Sequence, residues 1–353
     1  MTLIRLWVAE GFVEVKAGMT KEEVAEGYVN ELINRSLVQV AKKRRDGRSK
    51  SYRIHDLWRE IVVSKSREQN FVSLTSAEKL TRVTELPEEI LKLQYLRHLL
   101  LTSVNKRLRG CYDGFHVLTG FKVPKGIGSL TSLQKLCYIE AENGNGKVLC
   151  SSLEKLNNLQ SLHVGAKEED EIIDLDSLSS APRRIRTLYL KGRLQDLPHW
   201  IHSLHNLTRV CLWWSKLRDV DPLQSFQDLP HLVSLNLGAA YEGEGLCFKA
   251  GGFESLKCLC LTRMEGLKWV RVEAGSMPLL EEAYLCECKS MKKLPSGIEH
   301  LTNLKLLDLA DLSDSLITSL NRDLKGGDFW KIAHIPKVLI VDSKSGIWKI
   351  TYL

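Results

Sequence analysis

The feature that most constrains the fold of this chain is a leucine pattern that recurs along most of its length. Nine segments fit the form Leu-x-x-Leu-x-Leu, with occasional replacements: LRHLLL (96–101), LQKLCY (133–138), LQSLHV (159–164), IRTLYL (185–190), LTRVCL (207–212), LVSLNL (232–237), LKCLCL (256–261), LEEAYL (280–285) and LKLLDL (304–309). Their last residues are separated by 37, 26, 26, 22, 25, 24, 24 and 24 positions. A period of this length indicates stacked units of a solenoid rather than a single globular core.

The stretch that precedes several of these segments supports the same architecture. LPEEILKL (86–93), VPKGIGSL (123–130), LPHWIHSL (197–204) and LPSGIEHL (294–301) share one spacing of apolar residues. Proline suits the start of a short helical turn, and each unit can bury its leucines only against its neighbours. We therefore predict an α/β fold, a curved leucine-rich-repeat solenoid at 84–312 with about nine units. It is irregular at 102–122, and residues 313–353 are predicted to form a C-terminal cap.

The pattern also predicts which side chains face away from the core. Alternate residues of a strand point to opposite faces, so the positions between the leucines should line the concave face. The protein-binding positions predicted there are Arg97, His98, Lys135, His163, Arg186, Tyr189, Arg209, Asn236, Lys257, Glu282, Tyr284 and Asp308. The early strands are basic and the last two acidic, which predicts a charge gradient along this face.

Two adjacent tryptophans follow one of the predicted strands. Trp213 and Trp214 are predicted as aromatic contacts for a protein partner at the rim of the concave face. The alternative, which the sequence supports equally well, is that one of them covers the core of a neighbouring unit, because an indole buries a large area.

Residues 1–72 follow a different pattern, typical of a winged-helix (α+β) domain that lacks its first helix. The predicted elements are a helix ending near Gly11, a helix beginning at a Thr20-x-x-Glu23 capping box, strands LVQVA (37–41) and SYRIH (51–55) joined by an Asp46-Gly47 turn, and a last helix after residue 56. Residues 73–83 are predicted to link this partial winged helix to the repeats.

A cluster of basic residues lies on or beside the predicted hairpin. Its members are Lys42, Lys43, Arg44, Arg45, Arg48, Lys50 and Arg53. Such a cluster can neutralise phosphates, so a nucleic-acid-binding wing is one alternative for this segment. The preceding helix argues against it, since residues 21–36 contain four glutamates against one lysine and one arginine. The favoured interpretation is a solvated hairpin tip, and no nucleic-acid partner is expected.

Three phrases in the N-terminal part carry a resemblance to a known family. LIRLWVAEGFVE, EEVAEGYVNELINRSLVQV and YRIHDLWREI resemble the winged-helix end of the NB-ARC nucleotide-binding module in plant intracellular immune receptors. These are the coiled-coil nucleotide-binding leucine-rich-repeat disease-resistance proteins. The similarity continues through GFKVPKGIGSLTSLQKLCYIEA to WKIAHIP (330–336), so it covers essentially the whole chain.

The resemblance implies a cytoplasmic protein of plant innate immunity. Its repeats are expected to recognise a pathogen effector or a guarded host protein, and to contact an NB-ARC module supplied in trans. The nucleotide switch is expected to be truncated in this chain. A leucine-rich-repeat scaffold without an immune role is a further alternative, since the repeats alone do not specify what they bind.

By the same resemblance, Ile54, His55 and Asp56 occupy the place of the family's nucleotide-sensing Met-His-Asp motif, with isoleucine for methionine. Its histidine approaches the β-phosphate of ADP, and an imidazole can donate a hydrogen bond to a phosphate oxygen. From the residues alone, Asp56 is equally well explained as a helix N-cap.

The chain contains no sequence motif for catalysis or for a metal centre. No Gly-x-Ser-x-Gly or His-Glu-x-x-His occurs, so no catalytic residues are predicted and the chain is not expected to be an enzyme. Cys258-x-Cys260 and Cys286-x-Cys288 have the spacing of a split zinc site, but the repeat register points their thiols apart. No metal is therefore expected.

Composition narrows the class of protein further. The chain is 44% hydrophobic and 26% charged, ordinary values for a globular protein, and its net charge of +7 is a mild excess. No apolar run approaches the roughly 20 residues of a membrane span. The nine cysteines occur without a recognisable export signal, which favours free thiols in a reducing compartment.

We predict that the 353-residue chain alone binds neither ADP nor ATP, although full-length family members do. A histidine that senses a β-phosphate cannot by itself hold one, and the sequence has no Gly-x-x-x-x-Gly-Lys-Ser/Thr loop. The nearest glycine-rich stretch, ENGNGKVL (142–149), has the wrong spacing. Isothermal titration of the chain with ADP and magnesium should give no binding heat, and an affinity in the micromolar range would contradict the prediction.

Overall fold

The computed structural model describes residues 13–14, 18–43, 49–54, 85–100, 120–141, 146–218, 221–322, 324, 326–342 and 349–353. The chain divides into two compact units, residues 1–82 and 83–353, which are described separately. Several predictions fall outside the described residues. They are the helix near Gly11, the Asp46-Gly47 turn, the helix after residue 56, the linker at 73–83 and the motif residues His55 and Asp56.

The first unit contains helix α1 (Lys21–Asn34) and an antiparallel hairpin of β1 (Val38–Lys43) and β2 (Ser49–Ile54). The predicted capping box is confirmed. The Glu23 backbone N–H donates to Thr20 Oγ1 (3.2 Å), and the Thr20 N–H donates to Glu23 Oε2 (2.7 Å). Two N–H groups that would lack a partner at the helix start are thus satisfied.

One face of α1 forms the small core of this unit. Val24, Ala25 and Val29 are buried together with Val13, and Tyr28 and Ile33 pack against them. These α1 positions recur about every four residues, as expected for a single apolar stripe along a helix. This stripe is the side of α1 that packs.

The second unit is built on one long sheet. Its strands are β3 (His98–Leu100), β4 (Lys135–Glu140), β5 (Ser161–Gly165), β6 (Thr187–Lys191), β7 (Arg209–Trp213), β8 (Ser234–Gly238), β10 (Cys258–Thr262), β12 (Glu282–Cys286), β13 (Leu306–Ala310), β14 (Lys337–Asp342) and β15 (Lys349–Tyr352). The order in space follows the order in sequence, and all neighbours are parallel except β14 and β15. Each of the nine predicted segments supplies one strand, which confirms the solenoid.

The opposite side of the unit carries short turns and helices. The Pro-containing phrases supply 3-10 turns at Glu88–Lys92, Ile127–Ser129, His199–Ser203 and Ile298–His300, and further 3-10 turns lie at Pro222–Ser225 and Phe329–Lys331. Helices α2 (Gly146–Leu153) and α3 (Asp314–Ser319) and a second parallel pair, β9 (Gly245–Phe248) with β11 (Trp269–Val272), complete the unit. None of the described helices is long and apolar enough to cross a lipid bilayer.

Within the region predicted as a C-terminal cap, the sheet continues. Strand β14 pairs in parallel with β13, so that Val338 lies beside Leu307 and Ile340 beside Leu309. IPKVLI (335–340) therefore has the spacing of a further repeat segment, with Ile and Val in place of leucine. Strand β15 then pairs antiparallel with β14.

The leucines of successive strands form one continuous core. Leu235 lies beside Leu259 in the next strand, and Leu237 beside Leu261, with exposures of 0 to 5%. Full burial of one such side chain contributes about 1.5–3 kcal/mol, so stability accumulates from unit to unit.

The backbone at the start of each strand is held by the preceding unit. The carbonyl of the residue before one strand accepts two N–H groups from the next unit, as Gln134 does from Gln160 (2.7 Å) and Ser161 (3.0 Å). The carbonyls of Arg97, Arg186 and Lys257 do the same. This arrangement fixes the strand register, since a slip would break both bonds at every unit.

Replacing one buried leucine should destabilise the solenoid strongly. We expect Leu235→Ala to lower the free energy of unfolding by about 2–5 kcal/mol, because Leu235 is fully buried and the cavity cannot refill. Urea denaturation followed by circular dichroism measures the change. Val233→Ala, at a neighbouring site that is 39% exposed, is the matched control and should change stability by no more than about 0.5 kcal/mol. Equal effects of the two substitutions would contradict the proposed core.

Candidate functional site

The face of the long sheet opposite the leucine core, called the open face below, is the candidate site. The strand register arranges its side chains in two rows. The first row is His98, Lys135, Ser161, Thr187, Arg209, Ser234, Cys258, Glu282, Leu306 and Lys337. The second row is His163, Tyr189, Cys211, Asn236, Cys260, Tyr284, Asp308 and Leu339, preceded by Cys137 of β4.

Most of the predicted contact residues lie in these rows. His98, Lys135, Arg209 and Glu282 are in the first row, and His163, Tyr189, Asn236, Tyr284 and Asp308 are in the second. Three predicted residues do not belong to either row. Arg97, Arg186 and Lys257 lie one position before their strands.

These three residues lie outside the rows because the strands begin one position later than the sequence pattern suggests. Two residues separate the first pair of leucines in each segment, and only the second of them is on the strand. The first has its carbonyl turned toward the next unit, where it accepts two N–H groups. In the first row, Thr187 therefore replaces Arg186, and Cys258 replaces Lys257.

The two adjacent tryptophans have different roles. Trp213, the last residue of β7, is only 9% exposed and lies over Gly238 of β8, where a Cβ atom would come within 2.6 Å of the indole ring. It is thus a packing residue and not a contact for a partner. Trp214 is half-buried at the edge of the sheet, and the guanidinium carbon of Arg263 lies 5.7 Å from its ring centroid.

Strand β4 breaks the regular pattern. Tyr138 fills the last leucine position of its segment, yet Ile139 is the residue that pairs with Val164 and has 0% exposure. The register shifts between Leu136 and Ile139, so two residues, Cys137 and Tyr138, lie opposite His163 of β5. This is a β-bulge, and Tyr138 adopts a left-handed conformation with φ of 60°. The sequence pattern alone did not predict it.

The bulge brings together three rings, called the aromatic cluster: Tyr138, His163 and Tyr189. The centroid distances are 5.2 Å from Tyr138 to His163, 5.3 Å from His163 to Tyr189 and 6.1 Å between the tyrosines. His163 Nε2 lies 3.2 Å from Ser161 Oγ, and its buried Nδ1 has no hydrogen-bond partner among the described residues. Burial lowers the pKa of His163 to about 4, so the ring is neutral at physiological pH.

The charges of the open face change along the sheet in the direction that the sequence predicts. Lys135 and Arg209 make the first strands basic, whereas β12 and β13 carry Glu282 and Asp308. Just before these strands and outside the rows, Glu281 lies between Lys305 (2.8 Å) and Lys257 (3.6 Å). The hydrogen bond and charge of Lys305 lower the pKa of Glu281.

The later strands also hold a tyrosine–carboxylate pair. Tyr284 donates to Glu282 Oε2 at 2.9 Å. Burial, followed by this hydrogen bond, raises the pKa of Tyr284 above its ordinary value, so the hydroxyl stays protonated and serves as a donor.

The cysteines do not assemble into a reactive or metal-binding group within the described residues. Cys260 Sγ lies 3.2 Å from Thr262 Oγ1, whereas fully buried Cys288 donates to the Leu261 carbonyl at 3.7 Å. Burial raises the pKa of Cys211 to about 12, which keeps its thiol protonated. No group of three or more His, Cys, Asp or Glu side chains in the described parts is arranged to hold a metal ion.

Comparisons with known proteins agree with the architecture. A family model for a leucine-rich repeat region matches residues 76–317, and a model for the winged-helix domain of disease resistance proteins matches residues 1–62. Among solved structures, the leucine-rich repeat domain of the type III effector XopL aligns with 73% of this chain and 78% of its own. The TM-score of 0.35 and identity of 18% make this match too weak to support a conclusion.

Curated relatives come from Arabidopsis thaliana. Disease resistance protein RPM1 is 26% identical over 95% of this chain and 50% of its own length. Probable disease resistance RPP8-like protein 2 is 24% identical over 96% of this chain and 51% of its own length, and disease resistance protein RPP8 is 27% identical over 75% and 30%. The chain thus spans about half the length of the curated relatives it matches, or less.

The buried His163 should make stability depend on pH in mild acid. Its folded pKa of about 4 lies below the unfolded value of about 6.5. The unfolded chain therefore takes up the proton first, and stability present above about pH 6.5 is lost as the pH falls toward about 4. Urea unfolding at about pH 6.5 and about pH 4 should show that the free energy of unfolding falls more for wild type than for His163→Gln. Identical losses would exclude a neutral, buried imidazole.

Proposed function

The chain belongs to the leucine-rich-repeat disease-resistance proteins of plants, and from that premise we propose that it acts in defence against pathogens by binding a partner protein on the open face. The proposed partner is a pathogen effector or a guarded host protein, and the proposed compartment is the cytoplasm. No catalytic step is part of this role.

The observation that carries the proposal is the two-row arrangement of the open face. One side of the sheet is filled by leucines, whereas the other presents mostly polar side chains, with aromatic rings at β4, β5, β6 and β12. At about 4.8 Å between strands and about 3.3 Å per residue, the parallel strands span roughly 40 Å by 16 Å. That is comparable with the roughly 800 Å² that each partner buries in a standard protein–protein interface.

A nucleotide is not required for this role. We propose that the chain binds its partner without ADP or ATP bound to these residues, and that it contacts an NB-ARC module. The support is the sequence, which contains no phosphate-binding loop within these residues. A partner bound to the open face would then shift the equilibrium between two conformational states of the module only if it binds more tightly to one state than to the other.

The two alternatives make different predictions. A scaffold without an immune role would use the same open face, so only a defence assay separates it from the proposal. A nucleic-acid binder would use the hairpin, and its affinity should fall steeply with salt. The glutamates of α1, which lies next to the hairpin in sequence, make that alternative less suitable.

Complementation in the source plant tests the proposal. We expect plants without the gene to support more growth of at least one member of a pathogen panel, and the wild-type gene to restore resistance. The double variant Arg209→Glu, Lys337→Glu reverses two charges of the first row and should fail to restore it. Charge reversal in an interface places like charges opposite each other and weakens binding of the partner, while the buried core stays intact.

The matched control is Lys147→Glu, Lys155→Glu. Both lysines are exposed on or next to α2, away from the open face, and the control changes the net charge by the same amount. It should restore resistance fully. Unchanged pathogen growth across the panel in plants without the gene would instead support the non-immune scaffold.

A further inference from the structure

The bulge in β4 is the place where the open face departs from strict repetition. Elsewhere between β5 and β13 neighbouring strands pair residue for residue, and each strand offers one side chain to each row. At β4 an additional residue enters, and Tyr138 is turned toward His163 and Tyr189. Bulges are found where a side chain must be aimed in a particular direction.

The conformation of Tyr138 is unfavourable by itself. A non-glycine residue at φ of 60° costs roughly 1–2 kcal/mol relative to the extended strand. Phe121 fixes this conformation from the other side, because its N–H donates to the Tyr138 carbonyl (2.9 Å) and its carbonyl accepts from Glu140 (2.9 Å). Backbone strain that is held by its surroundings is typical of functional positions, and the side chain of Tyr138 is half-buried.

The charged side chains of the two rows around the aromatic cluster are basic. From β4 to β7 the rows and the bulge contain Lys135, Cys137, Tyr138, Ser161, His163, Thr187, Tyr189, Arg209 and Cys211, none of them acidic. Glu140, Gly165, Lys191 and Trp213 lie beyond these rows, at the strand ends. Arg186 lies just before β6 and is exposed. Among the described residues, no carboxylate forms an ion pair with Lys135, Arg186 or Arg209.

The later strands differ in this respect. There Glu281 is held between two lysines, and Glu282 accepts from Tyr284. The rows of that half carry Glu282 and Asp308, whereas Lys135, Arg186 and Arg209 form no ion pair with a described carboxylate. Charge complementarity therefore directs an acidic ligand to the first half of the open face.

We propose that the aromatic cluster, together with Lys135 and Arg209, anchors a short acidic segment of the partner protein that also carries an aromatic side chain. This inference rests on the proposed function and specifies its partner. Carboxylates of the segment would pair with the two cations, and its ring would pack in an offset or edge-to-face manner on the tyrosines. Strands β4 to β7 span about 14 Å, which matches about four residues of extended chain.

The geometry favours a protein segment over a nucleic acid. In the two rows from β4 to β7 the described cations are Lys135 and Arg209, whereas duplex DNA presents one charge about every 1.7 Å along its axis. Glu140 at the end of β4, and Glu169, which is paired with Lys216 (2.7 Å), would oppose an extended polyanion. Two cations match a short segment with a few carboxylates better than an extended polyanion.

Selection from random peptides tests the chemistry of the partner directly. A library of random dodecapeptides displayed on phage is panned against the full 353-residue chain, with the Arg209→Glu variant as the counter-selection. We expect the enriched peptides to have a net negative charge and an aromatic residue. Enrichment of basic or uncharged peptides, or no enrichment, would overturn the inference.

Affinities of one enriched peptide, measured by fluorescence anisotropy, then locate its site. We expect Arg209→Glu and Tyr189→Ala each to weaken binding by about tenfold or more, as for hot-spot residues. Arg209 is exposed, so its replacement leaves the core unchanged and the result does not depend on whether Tyr189→Ala folds. Lys155→Glu, with the same change in charge on the helical side, should alter the affinity by less than about twofold.

Two further variants separate failure of this inference from failure of the proposed function. If Tyr284→Ala or Lys337→Glu abolishes binding while Arg209→Glu does not, the peptide occupies the later strands; the inference is then wrong and the open-face proposal stands. If no open-face variant changes the affinity, both are wrong. An oligo-dT strand that competes with the peptide at equal concentration would show a general polyanion site and also overturn the inference.

Discussion

The structure depends on the fact that one repeat cannot bury its own leucines. Leu235 is covered by Leu259 of the next unit, and the same relation holds along the sheet. Because burial requires a neighbour in the same register, every strand must align with the previous one. The same alignment places the outward residues in rows. The open face is therefore a consequence of how the core is formed.

The turns at the strand ends complete this arrangement. Trp214, Ala239, Arg263, Glu287 and Asp311 each follow a strand and adopt left-handed φ values between 47 and 61°. Their N–H groups donate to a carbonyl at the end of the next strand or one residue before it, as Trp214 does to Gly238 at 2.7 Å and Asp311 to Val341 at 2.9 Å. A conformation that is unfavourable for a single residue is thus maintained in successive units by a hydrogen bond that regular strand pairing would not supply.

Recognition requires a departure from this uniformity. A strictly repeated surface would offer the same contacts at every strand, whereas a specific partner needs a distinct place to bind. In the proposed role the bulge in β4 supplies such a place, because it adds Tyr138 to a row that already contains His163 and Tyr189.

The sequence by itself determined the solenoid, its nine leucine segments, the capping box of α1 and most of the outward residues. These follow from local periodicity, since alternation along a strand and the repeat spacing leave few alternatives. Only the tertiary structure decided that Arg186 and Lys257 lie before their strands, that Trp213 is buried over Gly238, and that IPKVLI adds a strand to the sheet. It also decided the bulge at Tyr138. Each of these depends on which backbone groups of adjacent units form hydrogen bonds. Such pairing joins residues that are distant in sequence, so the spacing of apolar residues within one segment does not predict it.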